Sequence, residues 1–186
     1  MKRYYLILAT VAVLLFAAST VFAAAPGWSS SSVTYHLNGH CCDVLAVPTA
    51  YKPNVRAAAT TWTNQTRIDY SESSSSSNWV GWGDVTDWGA PSSAGAITMR
   101  YYNSSNYLVL ANMIFNQNAT WATDGNASAL DVQSVAAHEF GHFGGLNDLT
   151  ASGDLAATMY MYTYYGETHK RTLETRDTSL MNSLYP

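Results

Sequence analysis

The stretch "HEFGHFGGLND", residues 138–148, constrains this chain more than any other. It places His138 and His142 four residues apart, with Glu139 directly after the first. On an α-helix, positions four apart differ by about 40° and lie about 6 Å apart, so two imidazoles on one face converge on a single point. Val132, Ala136, Phe140 and Phe143 fall on the opposite side, which gives such a helix one core face and one chemical face. Zinc suits the chemical face, because it takes neutral imidazole nitrogen at about 2.0 Å and is content with three protein ligands and one open position. Glu139, about 100° round from His138, is placed to take a proton from water in that open position without being a ligand. Gly145 permits the left-handed turn that ends a helix sharply, after which Asp148 can swing back as a third ligand. The bland alternative is a chance H-E-x-x-H in a buried helix, and the Gly145–Asp148 extension argues against it.

The chain around this stretch has 186 residues. Its start has the form of an export signal: Lys2 and Arg3, an apolar run from Leu6 to Ala18, and Val21-Phe22-Ala23 with small residues at the cut. An uncleaved membrane anchor is the competing reading, since the run is nearly long enough to span. The small residues and Pro26 that follow favour cleavage after Ala23, which leaves 24–186 as one secreted, extracellular domain with no stable hold on the membrane. The formal net charge of −4 becomes more negative by two when Lys2 and Arg3 leave, so no basic footprint for nucleic acid remains. Cys41 and Cys42 are neighbours and are the only cysteines, which is no disulfide framework. A vicinal disulfide, free thiols and a bridge to another chain all stay open for them.

Periodicity sets the order of elements. "VTYHLN" (33–38) alternates as a strand, and 52–67 has helical spacing at Val55, Ala58, Ala59 and Trp62 with Pro53 near its start. "IDYSES" is a second strand, and the Ser-, Gly- and Trp-rich stretch that runs from there to Gly95 is expected as a long surface loop. "AITMRYY" and "YLVLANMIFN" are β-rich. Ser128 with Asp131 three residues later predicts a capping-box start for a helix running to about Leu146, and a last helix is expected over Leu173–Tyr185. The fold class is therefore α/β (α+β): a mixed, mostly parallel twisted sheet with helices, in one domain that is expected to be a monomer.

"HEFGHFGGLND" resembles the H-E-x-x-H-x-x-G-x-x-H/D signature of the metzincin zinc peptidases. The flanking "ANMIFNQNATWATDGNASALDVQSVAAHEFGHFGGL" and the downstream "ATMYMYTYYGETHKRTLETRDTSLMNSLYP" are similar to the matrixin branch, with a strand, a Trp- and Gly-bearing loop, a Met-turn and a closing helix. The resemblance covers roughly residues 29–186. It implies a zinc-dependent endopeptidase with His138, His142 and Asp148 as ligands to one catalytic Zn²⁺ and Glu139 as general base. It further implies an extended peptide or protein substrate, paired by strand addition to an edge formed by Leu108, Val109, Leu110 and Ala111, with Tyr160 and Tyr162 also lining the cleft. Met159 becomes the apolar floor of the Met-turn, with Met161 as its competitor. The chain departs from the commoner matrixin pattern in having Asp, not His, as third ligand, in lacking a cysteine-switch propeptide, and in having no His between Trp79 and Gly95 for a structural zinc.

Smaller signals compete with this reading. Glu167 or Glu174 as third ligand belongs to a different clan of metallopeptidases. Trp79, Trp82 and Trp88 suggest a sugar platform, and hence a secreted carbohydrate-binding module in which the metal motif is incidental or structural. Asp84, Asp87 and Asp124 offer carboxylates near glycines for Ca²⁺, though lone loop carboxylates are more often simply solvated. His36 and His40 are read as strand and turn residues rather than a second metal site.

Overall fold

The computed structural model describes residues 6–7, 26–40 and 44–185. The expected signal segment, 1–23, lies outside the described residues except for the backbone of β1 (Leu6–Ile7), and Cys41 and Cys42 lie outside them as well.

Alternation builds the first strand. In β2 (Ser32–Tyr35) Val33 and Tyr35 point inward while Ser32 and Thr34 face water. The chain passes the short β3 (Leu45–Ala46) and enters α1 (Lys52–Gln65), where Pro53 sits in the first turn and Val55, Ala58, Ala59 and Trp62 form the buried stripe. It then returns along β4 (Asp69–Glu72), parallel to β2. Beyond its own ladder β2 runs on to His36, which bridges in parallel to Trp79 in β5 (Trp79–Gly83). β3 takes the same edge of β5 further along, antiparallel. β5 pairs in parallel with β7 (Leu108–Asn116), and β7 pairs antiparallel with β6 (Ala96–Tyr102). The resulting order, β4-β2-β5-β7-β6, is a mostly parallel mixed sheet with an antiparallel edge. Short pairs complete the fold: β8 (Trp121–Ala122) with β9 (Leu130–Asp131), and β1 with β10 (Tyr162–Thr163).

Both faces of the sheet are covered. On one side lie α1 and α2 (Val132–Phe143), interlocked through Trp62, Phe140, Phe143 and Phe115. Each such side chain contributes roughly 1.5–3 kcal/mol by leaving water. The Trp62 indole also donates to Ala137 O at 2.8 Å, fixing α1 against the middle of α2. On the other side the 84–95 segment packs Val85, Ala90 and Ala94 against Trp79, Ile97 and Ile114. The chain closes with α3 (Thr175–Leu184). Among the described residues no helix is long and apolar enough to cross a membrane.

Three expectations are corrected. The stretch from Ser73 to Gly95 is not all loop, because β5 lies within it and is fully buried. Its glycines disguise it, since glycine normally weakens a strand. Gly81 is needed there: a Cβ would overlap Val44 Cγ1 and come within 3.0 Å of Leu45 O, so only glycine lets β3 approach. Second, α2 begins at Val132 with Asp131, not Ser128, as its cap; the Asp131 carboxylate accepts from Ser134 N at 2.9 Å. Third, β7 is not the open edge. β6 flanks it on one side, and on the other Leu108 N donates to Gly27 O, Ala111 N to Asn78 Oδ1, and β5 pairs from Asn112 onward. Leu108, Val109, Leu110 and Ala111 therefore sit in an inner strand, and on that side of the sheet the edge is β6, which pairs with β7 alone among the described strands.

Candidate active site

α2 is buried all round, its chemical face included: His138, Glu139 and His142 are each at most 1 % exposed. A polar helix face sealed from water must have its groups satisfied internally. His138 Nδ1 lies 2.8 Å from Thr158 O, and His142 Nδ1 lies 2.8 Å from Leu146 O. A carbonyl oxygen can only accept, so both Nδ1 atoms carry the proton and both Nε2 atoms present lone pairs. Those lone pairs face each other at 3.0 Å.

The third member arrives by the turn after the helix. Gly144 ends α2, Gly145 takes a φ of 106°, and the chain folds back. Asp148 Oδ1 thereby comes to 3.2 Å from His138 Nε2 and 3.3 Å from His142 Nε2. When the imidazole pair carries an extra proton, burial still raises the Asp148 carboxyl, but the charge on His142 and the hydrogen bonds from His138 and His142 outweigh it and hold it well below the usual carboxylate range. Without that proton, three electron-pair donors stand 3.0–3.3 Å apart. The edge of a tetrahedron around zinc with bonds of about 2.0 Å is about 3.3 Å. The donor set and its spacing fit a tetrahedral zinc ion, whose charge would relieve the repulsion among the three. The alternative carboxylates are engaged elsewhere. Glu167 accepts from Tyr164 N and faces His169, while Glu174 caps α3 in a reciprocal pair with Asp177.

Glu139 stands beside this triad, with a carboxylate oxygen within 4.8 Å of one ring nitrogen of each imidazole. The Thr98 hydroxyl, on β6, donates to Glu139 Oε2 at 2.6 Å. Two residues along, Arg100 donates from Nη1 to Leu146 O at 2.9 Å and from Nη2 to Asn147 Oδ1 at 2.8 Å. The oxygen that orients His142 is therefore itself pinned to β6, next to the segment bearing Asp148.

Below the triad, the downstream loop is zipped to that segment: Leu149 N donates to Met159 O and Met161 N to Leu149 O. Met159 is fully buried against Gly141, where a Cβ would overlap its Sδ, while Met161 is only partly buried. Asp177, fully buried on α3, accepts from Thr158 N at 2.8 Å and Met159 N at 3.0 Å. It thus fixes the peptide whose carbonyl holds His138. Tyr160 and Tyr162 are partly buried with ring centroids 5.8 Å apart. Under them Lys170 donates to the carbonyls of both, and to Thr163 Oγ1 at 3.2 Å. Burial pushes the Lys170 ammonium down to about 8, against the opposing pull of Glu167, Asp148, Asp177 and Glu139. Thr98, Arg100, Asp177 and Lys170 escaped the sequence reading. The one visible trace was Asp177, three residues after Glu174 at a helix start.

The competing sites fare differently. Trp79 and Trp82 are 5 % and 7 % exposed, stacked on His40 and on Tyr51 and Phe115, so they offer no platform for a sugar; Trp88 is the exposed one. Asp84 spends its oxygens on Thr86 and Asn118, and Asp124 accepts from Asn126 N. Among the described residues, the gathering of three potential metal-binding side chains is the one at His138, Glu139 and His142.

Comparison with known proteins agrees with this geometry. No curated protein matches the chain. The family model for matrixin, a peptidase family, matches residues 27–186, which takes in the whole sheet, the His-Glu-His helix and the closing helix. With that span matched and this donor set in place, the chain belongs to the matrixin family and is a zinc-dependent metalloendopeptidase.

Proposed function

We propose that the chain is a secreted endopeptidase in which His138, His142 and Asp148 hold the catalytic zinc and Glu139 is the general base. The observation that carries this is the convergence of the two Nε2 lone pairs and Asp148 Oδ1 at 3.0–3.3 Å, with both Nδ1 protons committed to carbonyls. Zinc bound there supplies Lewis acidity toward the scissile carbonyl and lowers the pKa of water to about 7. Thr98 occupies Glu139 Oε2, which leaves Oε1 to take the proton from the attacking water and hand it to the leaving amine.

The substrate strand is assigned to β6, in place of β7. Asn116 N donates to Gly95 O at 2.8 Å, so the antiparallel alternation makes 97/114 and 99/112 the bonded pairs. The N–H and C=O groups of Ala96, Thr98 and Arg100 then point away from β7, toward an incoming extended peptide. Tyr160 and Tyr162, carried on the segment zipped to Leu149, form the opposite wall of the cleft. Export follows the 1–23 signal, and the mature domain works as an extracellular monomer; mass spectrometry of the exported protein then finds its start at Ala24 and not at Met1.

The deciding experiment pairs metal analysis with casein hydrolysis. Wild type carries about one zinc per chain and loses activity to a chelator. Glu139→Gln keeps the zinc, while hydrolysis falls by a factor of about 10² to 10⁴. Near-full activity in that variant removes Glu139 from the mechanism.

A further inference from the structure

We infer that Thr98 is the positioning residue of the general base, and that β6 holds Glu139 in register with the peptide that pairs along the same strand. The inference rests on the proposed role of Glu139 and adds a residue that neither the zinc motif nor the ligand set contains.

Thr98 is 5 % exposed, and its hydroxyl has two acceptors in reach: Glu139 Oε2 at 2.6 Å and Glu139 O at 3.3 Å. A hydroxyl has one proton, and the nearer acceptor is the carboxylate, where a charge-assisted bond is about twice as strong as a neutral one. The main-chain oxygen of Glu139, inside α2, is already served by the helix. The proton therefore goes to Oε2. Threonine is stiff at χ1, so the hydroxyl meets Oε2 from a fixed position on β6. Among the described residues no other hydrogen-bond donor reaches this carboxylate: the imidazole Nδ1 atoms are committed to carbonyls, and the Arg100 guanidinium bonds Leu146 O and Asn147.

The strand gives this bond its second meaning. Side chains 98 and 100 lie on one face of β6, toward α2, while the main-chain groups of the same residues point to the open edge. Thr98 holds the base and Arg100 holds the carbonyl behind His142, so the strand that measures out the substrate also spaces the base from the metal ligands. A base misaligned by an ångström still sits in a zinc-loaded, substrate-binding enzyme, and the loss falls on turnover.

The test is the pair Thr98→Val and Thr98→Ser in the zinc-loaded enzyme, with kcat and KM measured on one peptide long enough to span β6, and zinc counted in the same samples. Valine has the shape of threonine without the hydroxyl. The expected result is a fall of about 10- to 100-fold in kcat for Thr98→Val, KM within about threefold, zinc unchanged, and recovery in Thr98→Ser to within about threefold of wild type. A Thr98→Val enzyme with kcat within twofold of wild type overturns the inference. So does loss of zinc together with kcat, which marks a merely structural role, or a serine variant as slow as the valine one. Failure of the underlying reading looks different, because Glu139→Gln would then retain activity whatever Thr98 does.

Discussion

Gly141 lies between Glu139 and His142 on α2, and replacing it with alanine sets two well-known effects against each other. In an isolated helix the change stabilises by about 1 kcal/mol, because glycine is the poorer helix former. Here the new Cβ overlaps Met159 Sδ and comes 3.0 Å from Met159 Cε and Trp62 Cζ2. Neither neighbour retreats easily. The Trp62 indole is tied to Ala137 O, the Met159 backbone is tied to Asp177, and both side chains are fully buried. Overpacking of this kind costs about 1–3 kcal/mol, and with both partners pinned the upper half of that range applies. Net destabilisation is then about 1–2 kcal/mol, or about 2–8 °C in melting temperature for a domain of this size. The assay is thermal unfolding of zinc-loaded protein by circular dichroism, in a Glu139→Gln background to prevent self-digestion. Repeating it with Met159→Ala makes the coupling visible: with the sulfur gone, Gly141→Ala becomes neutral or stabilising. A rise in melting temperature with Met159 intact, or equal effects in the two backgrounds, would refute the steric account of this glycine.

Asp148→Ala removes one of the three proposed zinc-binding atoms, so competition with a chelator should show an affinity loss of at least about 100-fold together with lost turnover. Affinity equal to wild type would move the third ligand elsewhere. Lys170, held near 8 by burial against 10.5 when unfolded, binds fewer protons folded than unfolded between those values, so its contribution to stability rises with pH across that window. Relative to Lys170→Met, wild type should gain on the order of 2–3 kcal/mol between about pH 8 and 10.5, measured by denaturant unfolding; a flat difference would contradict the burial of the ammonium.

The zinc site was legible because a helix is a lattice: the spacing of His138 and His142 alone fixes their convergence, and Gly145 announces the return that brings in Asp148. Strand order was less legible. The largely apolar run Leu108–Phe115, broken only by Asn112, is what a strand flanked on both sides requires, whereas β6 loses its burial toward Tyr101 and Tyr102, as an edge does. That contrast was present in the sequence but was outweighed by the nearness of β7 to the metal motif. Thr98, Asp177 and Lys170 could not be found by pattern. Thr98 meets its partner 41 residues away and Asp177 at 18 and 19, and no local period encodes such a meeting. β5 was hidden for the opposite reason, since the glycine that its neighbour requires is the residue that strand propensity penalises.

The far end of α2 carries one more consequence. The Trp28 indole donates to Phe143 O at 2.8 Å, and Tyr185 donates from its hydroxyl to Gly144 O while accepting from Trp28 N. The carbonyls that close the His-bearing helix are thus served by residues 157 positions apart, one from each end of the described domain. A chain made from its N-terminus exposes His138 and His142 well before Tyr185 exists. Until Tyr185 arrives, the last turn of α2 keeps an orphan carbonyl and the ligand turn after it lacks its anchor. Competence to cut therefore waits on Tyr185. A ribosome-held chain arrested short of residue 185 should be inert toward peptides, and toward the nascent proteins around it.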